Sequence, residues 1–459
     1  MQIDTGERYT LAAIVLLGAV LRFYQLGAMP GVTFDEIFYP QYGLSYLSGG
    51  TFHSVHPPLG AYLMSLSIYL YYLMPWTDSL ISTGFELSNL DPLSYRWLNA
   101  CAGTALVYVA YKISKALIDN QYFALLVALF FCLDGALMVD SRIGLINIYL
   151  CFFGFLGLLY FLKGANDVSQ SSRYFVIAMV WFGLAISVKW NGLGFLAVVP
   201  ASVVLFWLLS VVIPSTTKNP IVTRLAYSNG LSTMQWCILL GIPPTVYAMV
   251  WVPELLVVDG FSYLDKHRYM ADFHANHVES KPHPYQSAWY TWPLMTRPMA
   301  YYFSSDQVLL TDGIYQTVYT AVHLFPNPIL TLFSTAAICI LTVYWVTALL
   351  LGFRGRNIKP DFSVVSFILI GFYGNLLPWS LVSRSVFIHH YQPASCFSFI
   401  ALAFLLYKLM SRDEKVAEWV YRGVLILILA AAIYWLPVQL GLEIEQKRFH
   451  QMMWFDSWI

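Results

Sequence analysis

The chain has 459 residues, and its 25 Lys and Arg are balanced by 25 Asp and Glu, so the net charge is zero. Charged residues make up 11% and hydrophobic residues 58%, where an ordinary soluble domain is about 25% charged. This composition excludes a soluble globular enzyme, a disordered chain and a nucleic-acid binder, which needs a basic excess, and it leaves a polytopic membrane protein.

A crossing helix needs about 20 mostly apolar residues. In chain order, such runs are predicted near residues 9–25, 95–118, 121–139, 143–162, 174–190, 191–213, 235–257, 326–352, 362–382, 386–408 and 419–438. The expected fold class is therefore all-α, with about eleven transmembrane helices and two long external loops, at 27–92 and 259–325. The whole of 1–459 is read as a single integral membrane domain. The first apolar run lacks a small-residue cleavage site and reads as an uncleaved anchor. The run Leu59–Trp76 is apolar too, but it starts at His-Pro-Pro and is crowded with Tyr, Ser and Met. It is predicted to lie in the interface or dip into it.

With the N-terminus inside, every short internal connection is basic, as the positive-inside rule expects. These connections hold Lys112 and Lys115, Lys163 and Arg173, Lys218 and Arg224, Arg354 through Lys359, and Lys408 through Arg422. All ten histidines fall on the external side of this arrangement, as do both long loops, where function tends to sit. The six cysteines lie within spans and imply no disulfide framework.

Charges near bilayer depth are costly, and their default reading is a functional site. Asp35-Glu36, Arg96, Asp134 with Asp140 and Arg142, Lys189, and Arg384 all sit at external ends of spans. Singly, such cations snorkel to headgroups. Together they form the cationic face expected for a membrane-level phosphate. Asp35-Glu36 is flanked by Phe34 and Phe38, and a carboxylate desolvated in this way can act as a general base. The pairs His53/His56 and His274/His277 fall short of a metal ligand set, so no metal or other cofactor is expected.

Phe34-Asp35-Glu36, Val55-His56-Pro57-Pro58, Asp134-Gly135, Ser141-Arg142-Ile143 and Lys189-Trp190-Asn191-Gly192 resemble, in order, motifs of protein O-mannosyltransferases. The series continues through His283-Pro284-Tyr285, Trp292-Pro293-Leu294, Arg297-Pro298, Leu377-Pro378-Trp379, Ser383-Arg384 and His390-Tyr391. The resemblance implies a C-type glycosyltransferase fold, a polyprenyl-phosphate-linked mannose donor and a Ser or Thr acceptor on a translocated protein. It also implies Asp35 as the base and Arg142 in donor binding. Three departures stand out: no room for a large inserted β-trefoil, Asn147 in place of Asp, and His389-His390-Tyr391 in place of Tyr-His-Tyr. The first points to a prokaryotic member, in the plasma membrane with its active site outside.

The chemistry of a lipid-phosphate leaving group calls for fixed cations. Arg142, Lys189, Arg384 and Arg297 are the candidates. Glu36 is expected to orient Asp35, bind sugar hydroxyls or support the loop. His56, Asp134, His283, Tyr285, Trp292 and His390 are candidate substrate contacts. Two other readings stay open: a C-type enzyme moving another sugar to a lipid or glycan, and a lipid-linked-sugar transporter.

Overall fold

The structure is a computed structural model that describes residues 5–29, 31–50, 52–167, 169–212, 232–257, 262–276, 283–309, 315–412 and 414–459. Lys218, Arg224 and His277 lie outside the described residues. Each apolar run predicted to span is occupied by a helix. They are α1 (Thr5–Phe23), α4 (Pro92–Leu117), α5 (Gln121–Leu133) with α6 (Gly135–Arg142), α7 (Asn147–Asn166), α8 (Ser171–Val188) and α9 (Leu193–Val212). The later ones are α10 (Thr233–Val257), α12 (Pro328–Phe353), α13 (Asp361–Leu376), α14 (Gln392–Met410) and α15 (Lys415–Leu440).

Among the described residues, eight helices are long and apolar enough to cross a membrane, or nine if the bent pair α5–α6 is one span. The helices α1 and α4 are 19 and 26 residues long, but they fall outside this set. The expected total of eleven is thus matched by position and not confirmed by apolarity. Two short helices, α2 (Tyr39–Ser48) and α3 (Leu59–Tyr72), occupy the first long segment. At about 1.5 Å per residue, α3 reaches only about 21 Å, too short to cross, in keeping with an interfacial helix.

Among the described residues, Phe123 at the start of α5 packs against Phe404 and Tyr407 near the end of α14, which brings the first and last basic connections to one end of the bundle. There Lys115 pairs with Glu7 and with Asp119, Lys408 pairs with Asp361 at 2.7 Å, and Asn166 bonds the carbonyl of Ala116. The opposite end carries the acidic pair, Lys189 and both long segments. Here the α5–α6 bend of 56° is made by Asp134, whose carboxylate caps α6 by accepting from the Leu137 N–H at 2.9 Å. Gly135 follows because a Cβ at that point would collide with the Gln439 amide and the Phe325 carbonyl.

The second segment differs from an irregular loop. After α11 (Tyr263–Asn276) it forms a hairpin of β1 (Met299–Leu309) and β2 (Tyr315–Leu324), paired antiparallel from Met299↔Leu324 to Leu309↔Tyr315. A short β3 (Glu443–Glu445) from the C-terminal region adds to β2, and α16 (Gln446–Met452) packs Phe449 under Phe303 and Tyr319. The run Thr317-Val318-Tyr319-Thr320 is rich in β-branched and aromatic residues, which is the signal that favours a strand here.

Candidate active site

The short helical turn Phe34–Ile37 carries the acidic pair, and it divides the two carboxylates. Glu36 points inward and is fully buried. Its Oε2 accepts from Arg96 at 2.7 Å and from the Thr33 N–H at 2.8 Å. Its Oε1 accepts from Arg96 Nε at 2.8 Å and from the Gly144 N–H at 2.6 Å. The remaining guanidinium donors of Arg96 bond the carbonyls of Met29 and Gly31, both at 3.0 Å, and the Thr33 hydroxyl at 3.1 Å. A carboxylate offers about four acceptor positions, and all are taken. Glu36 therefore supports the loop and has no capacity left for sugar hydroxyls.

Asp35 points the other way. It lines a cavity of about 490 Å³ whose wall also includes Tyr39, Tyr42, His53, His56, Lys189, His274, His283, Arg384, His389 and His390. Among the described lining residues Asp35 is the one carboxylate, and no hydrogen bond from a described residue reaches its side-chain oxygens. Burial pushes its pKa up to about 6, opposed by the Lys189 ammonium and reinforced by the Asp140 carboxylate. Burial also holds His56 well below the ordinary imidazole range and brings His274 down to about 4, so both are neutral at pH 7. The preceding residue, Phe34, has φ +51, a left-handed conformation costly for a side chain of its size. It is held there by stacking on Tyr301, with ring centroids 4.6 Å apart.

A second cavity, of about 380 Å³, opens beside the first and is walled by Leu193, Gly194 and Ala197 of α9 and by Pro378, Trp379 and Val382. Leu193 exposes its apolar side chain in this wall. The two cavities share His56, Lys189, His274, Arg384 and His390. A polar chamber and an apolar groove thus meet at two cations. That junction suits an amphiphile with an anionic head, because the head can bind Lys189 and Arg384 while the tail follows the groove. Behind it, Lys189 Nζ donates to Asn147 Oδ1 at 2.6 Å, and Asn147 Nδ2 donates to Asp140 at 2.9 Å. Asp140 also accepts from the Tyr301 hydroxyl at 2.7 Å and from Gln392 at 2.8 Å.

Residues 12–258 match the profile of dolichyl-phosphate-mannose-protein mannosyltransferases, and residues 261–458 match the C-terminal four-transmembrane region of protein O-mannosyltransferases. The chain belongs to the protein O-mannosyltransferase family. The polyprenol-phosphate-mannose–protein mannosyltransferase of Corynebacterium glutamicum is 22% identical over 98% of this chain and 94% of its own length. The enzyme of the same name from Mycolicibacterium smegmatis is 21% identical over 99% and 94%. The fold is shared with the Saccharomyces cerevisiae protein O-mannosyltransferase Pmt1-Pmt2 complex bound to the sugar donor, at TM-score 0.81 and 15% identity, covering 100% of this chain and 93% of that one. It is also shared with ArnT from Cupriavidus metallidurans bound to undecaprenyl phosphate, at TM-score 0.52 and 14% identity over 96% and 75%. The protein is a membrane glycosyltransferase of the C-type fold.

Of the residues singled out in the sequence, Asp35, His56, Lys189, His283, Arg384 and His390 converge on the cavities. Others do not. Arg142 donates to the carbonyls of Leu21, Arg22 and Tyr24 at 2.8–3.1 Å, fastening the end of α1, and it is absent from both walls. Arg297 bonds the carbonyls of Pro284 and Ser457 at 2.7 and 2.9 Å and lies over the Tyr285 ring. Asp134 caps α6 and accepts from the Asn327 N–H at 3.3 Å. Trp292 is buried behind the wall, stacked on His390. Of the four cations expected on one face, Lys189 and Arg384 line both cavities, whereas Arg96 and Arg142 line neither and bond the protein around them.

Tyr39, Tyr42, His274 and His389 line the chamber and were not among the candidates. Tyr39 and Tyr42 lie four and seven residues beyond Asp35, and this helical spacing next to the acidic pair was a readable signal. No sequence signal marks His274 as facing His56, at 5.6 Å between ring centroids. Among the described residues, no three or more His, Cys, Asp or Glu side chains gather where they could hold a metal ion.

Proposed function

We propose that this protein transfers mannose from a polyprenyl-phosphate-mannose to Ser or Thr hydroxyls of translocated proteins. The observation that carries this reading is a lone lining carboxylate, Asp35, facing a chamber joined to an apolar groove at Lys189 and Arg384. The names borne by relatives that match nearly the whole chain supply the sugar and the protein acceptor. The acceptor hydroxyl gives its proton to the Asp35 carboxylate as its oxygen bonds to the anomeric carbon. The bond from that carbon to the phosphate oxygen breaks, and its electron pair leaves with the polyprenyl phosphate. Lys189 and Arg384 stabilise the charge that develops there. A raised pKa suits Asp35 to this task near neutrality. A single displacement with one base inverts the anomeric centre.

With two fixed cations at the leaving group, the mechanism assigns no step to a metal. The basic connections at the opposite end support an inward orientation of that end, and so an external active site in a prokaryotic plasma membrane. The test is Asp35→Asn in purified protein with radiolabelled polyprenyl-phosphate-mannose and a Ser/Thr peptide. Transfer is expected to fall by about 10²–10⁴-fold with donor binding retained and with no effect of chelator. Undiminished transfer overturns the base assignment, and label in lipid or glycan in place of peptide overturns the acceptor.

A further inference from the structure

Lys189 has no carboxylate within hydrogen-bonding distance among the described residues; its bonded neighbour is a neutral amide. Asn147, the first residue of α7, is buried between an ammonium, which can only donate, and the Asp140 carboxylate, which can only accept. An amide has one end of each kind, so its orientation is forced: Oδ1 faces Lys189 and Nδ2 faces Asp140. Asp140 in turn is fixed by Tyr301 from β1 and Gln392 from α14. Tyr301 carries the stack on Phe34, the neighbour of Asp35. One side chain therefore ties the cation of the chamber to the scaffold beneath the proposed base.

We infer that Asn147 is a positioning residue that fixes the Lys189 ammonium at the junction of the two cavities without neutralising it, leaving its charge for the lipid phosphate. This rests on the proposed phosphate-bearing donor and names how this chain holds it. Aspartate at 147 would keep the bond to Lys189. It would also pair the ammonium's charge and set a second carboxylate against Asp140. Alanine would remove the anchor and leave the charge intact but loosely placed.

The groups facing Lys189 and Asp35 are Asp140 from α6, Tyr39 and Tyr42 from α2, His53 and His56 from the first segment, His274 from α11, His283 from the second segment and Tyr301 from β1. Arg384, His389 and His390 come from the stretch before α14, and Cys151 from α7. Among these, the Asn147→Asp change acts most directly on Lys189 and Asp140, and the weakened cation lets Asp35 hold its proton to higher pH.

The experiment is a double-mutant cycle of Asn147→Asp and Lys189→Met on the purified full-length protein. Donor KM with synthetic polyprenyl-phosphate-mannose, the pH profile of kcat/KM and thermal unfolding are read for each. Asn147→Asp is expected to raise donor KM about tenfold and to move the acidic limb upward by about one pH unit. In the Lys189→Met background it should add almost nothing to KM. Asn147→Ala supplies a second variant without the added charge, expected to raise KM with a smaller movement of the limb. Additive KM effects, or an unmoved limb with lowered unfolding temperature alone, overturn the inference. If Lys189→Met itself leaves donor KM unchanged, the phosphate reading fails first and the inference falls with it.

Discussion

The two long segments meet at one chamber, but they are fastened to the bundle by different physics. The first, which carries Asp35, is locked by a fully buried ion pair, with Glu36 and Arg96 both 0% exposed and six further hydrogen bonds around them. The second, which carries His283 and the hairpin, is held by backbone pairing and by aromatic contact with the C-terminal region. Trp458 Nε1 bonds the Met295 carbonyl at 3.0 Å, and Arg297 bonds the Ser457 carbonyl at 2.9 Å. A buried charge pair is all-or-none, because removing one partner strands the other. A strand or an aromatic contact gives way by degrees. The proposed base thus stands on a fixed mount, and the opposite wall on one that can adjust.

The largest effect should come from breaking the lock. Arg96→Met strands Glu36 in an apolar interior, at a cost of about 3–5 kcal/mol. It is expected to lower the thermal unfolding temperature sharply and to abolish transfer. Adding Glu36→Gln should recover part of the unfolding temperature, since the stranded charge is gone. A Glu36 acting chiefly on substrate would predict no such recovery.

Next in size is the pH response of the fixed mount. Under the proposed reading Asp35 must be ionised to take the acceptor's proton, and burial raises its pKa to about 6. Below that value kcat/KM should fall about tenfold per pH unit, while above it the profile levels. A profile flat down to pH 4 would remove Asp35 from the role. The smallest effect belongs to the adjustable wall. Arg297→Ala gives up two bonds to carbonyls, worth about 1 kcal/mol each. It should raise acceptor KM a few-fold while leaving the pH profile in place, as measured with the same peptide.

The sequence made the spans legible because a crossing helix is written as a long apolar run, and each predicted run holds a helix. Even α1 and α4 were found, since Glu7, Arg22 and Arg96 cluster near helix ends and leave apolar stretches between them. The hairpin was missed because the segment was read for aromatics, not for alternation. In the site, the sequence marked which charges are expensive but not what compensates each one. Lys189 and Arg384 line the cavities, whereas Nη1 of Arg142 is shared among three carbonyls at the end of α1. Nothing local distinguishes these two fates. The same limit applies to Asp35 and Glu36, adjacent in sequence and opposite in direction.

The shared wall of the two cavities has a consequence for turnover. Under the proposed reading, the spent carrier still holds its phosphate on Lys189 and Arg384, with its tail in the groove that the next donor needs. Product and substrate lipids therefore compete for one berth, and each transferred sugar obliges an exchange of carriers sideways through the bilayer. An enzyme built this way adds single residues in separate visits and does not extend a chain from a captured supply. Its pace in a membrane is then set as much by how quickly emptied lipid drifts away as by the transfer itself.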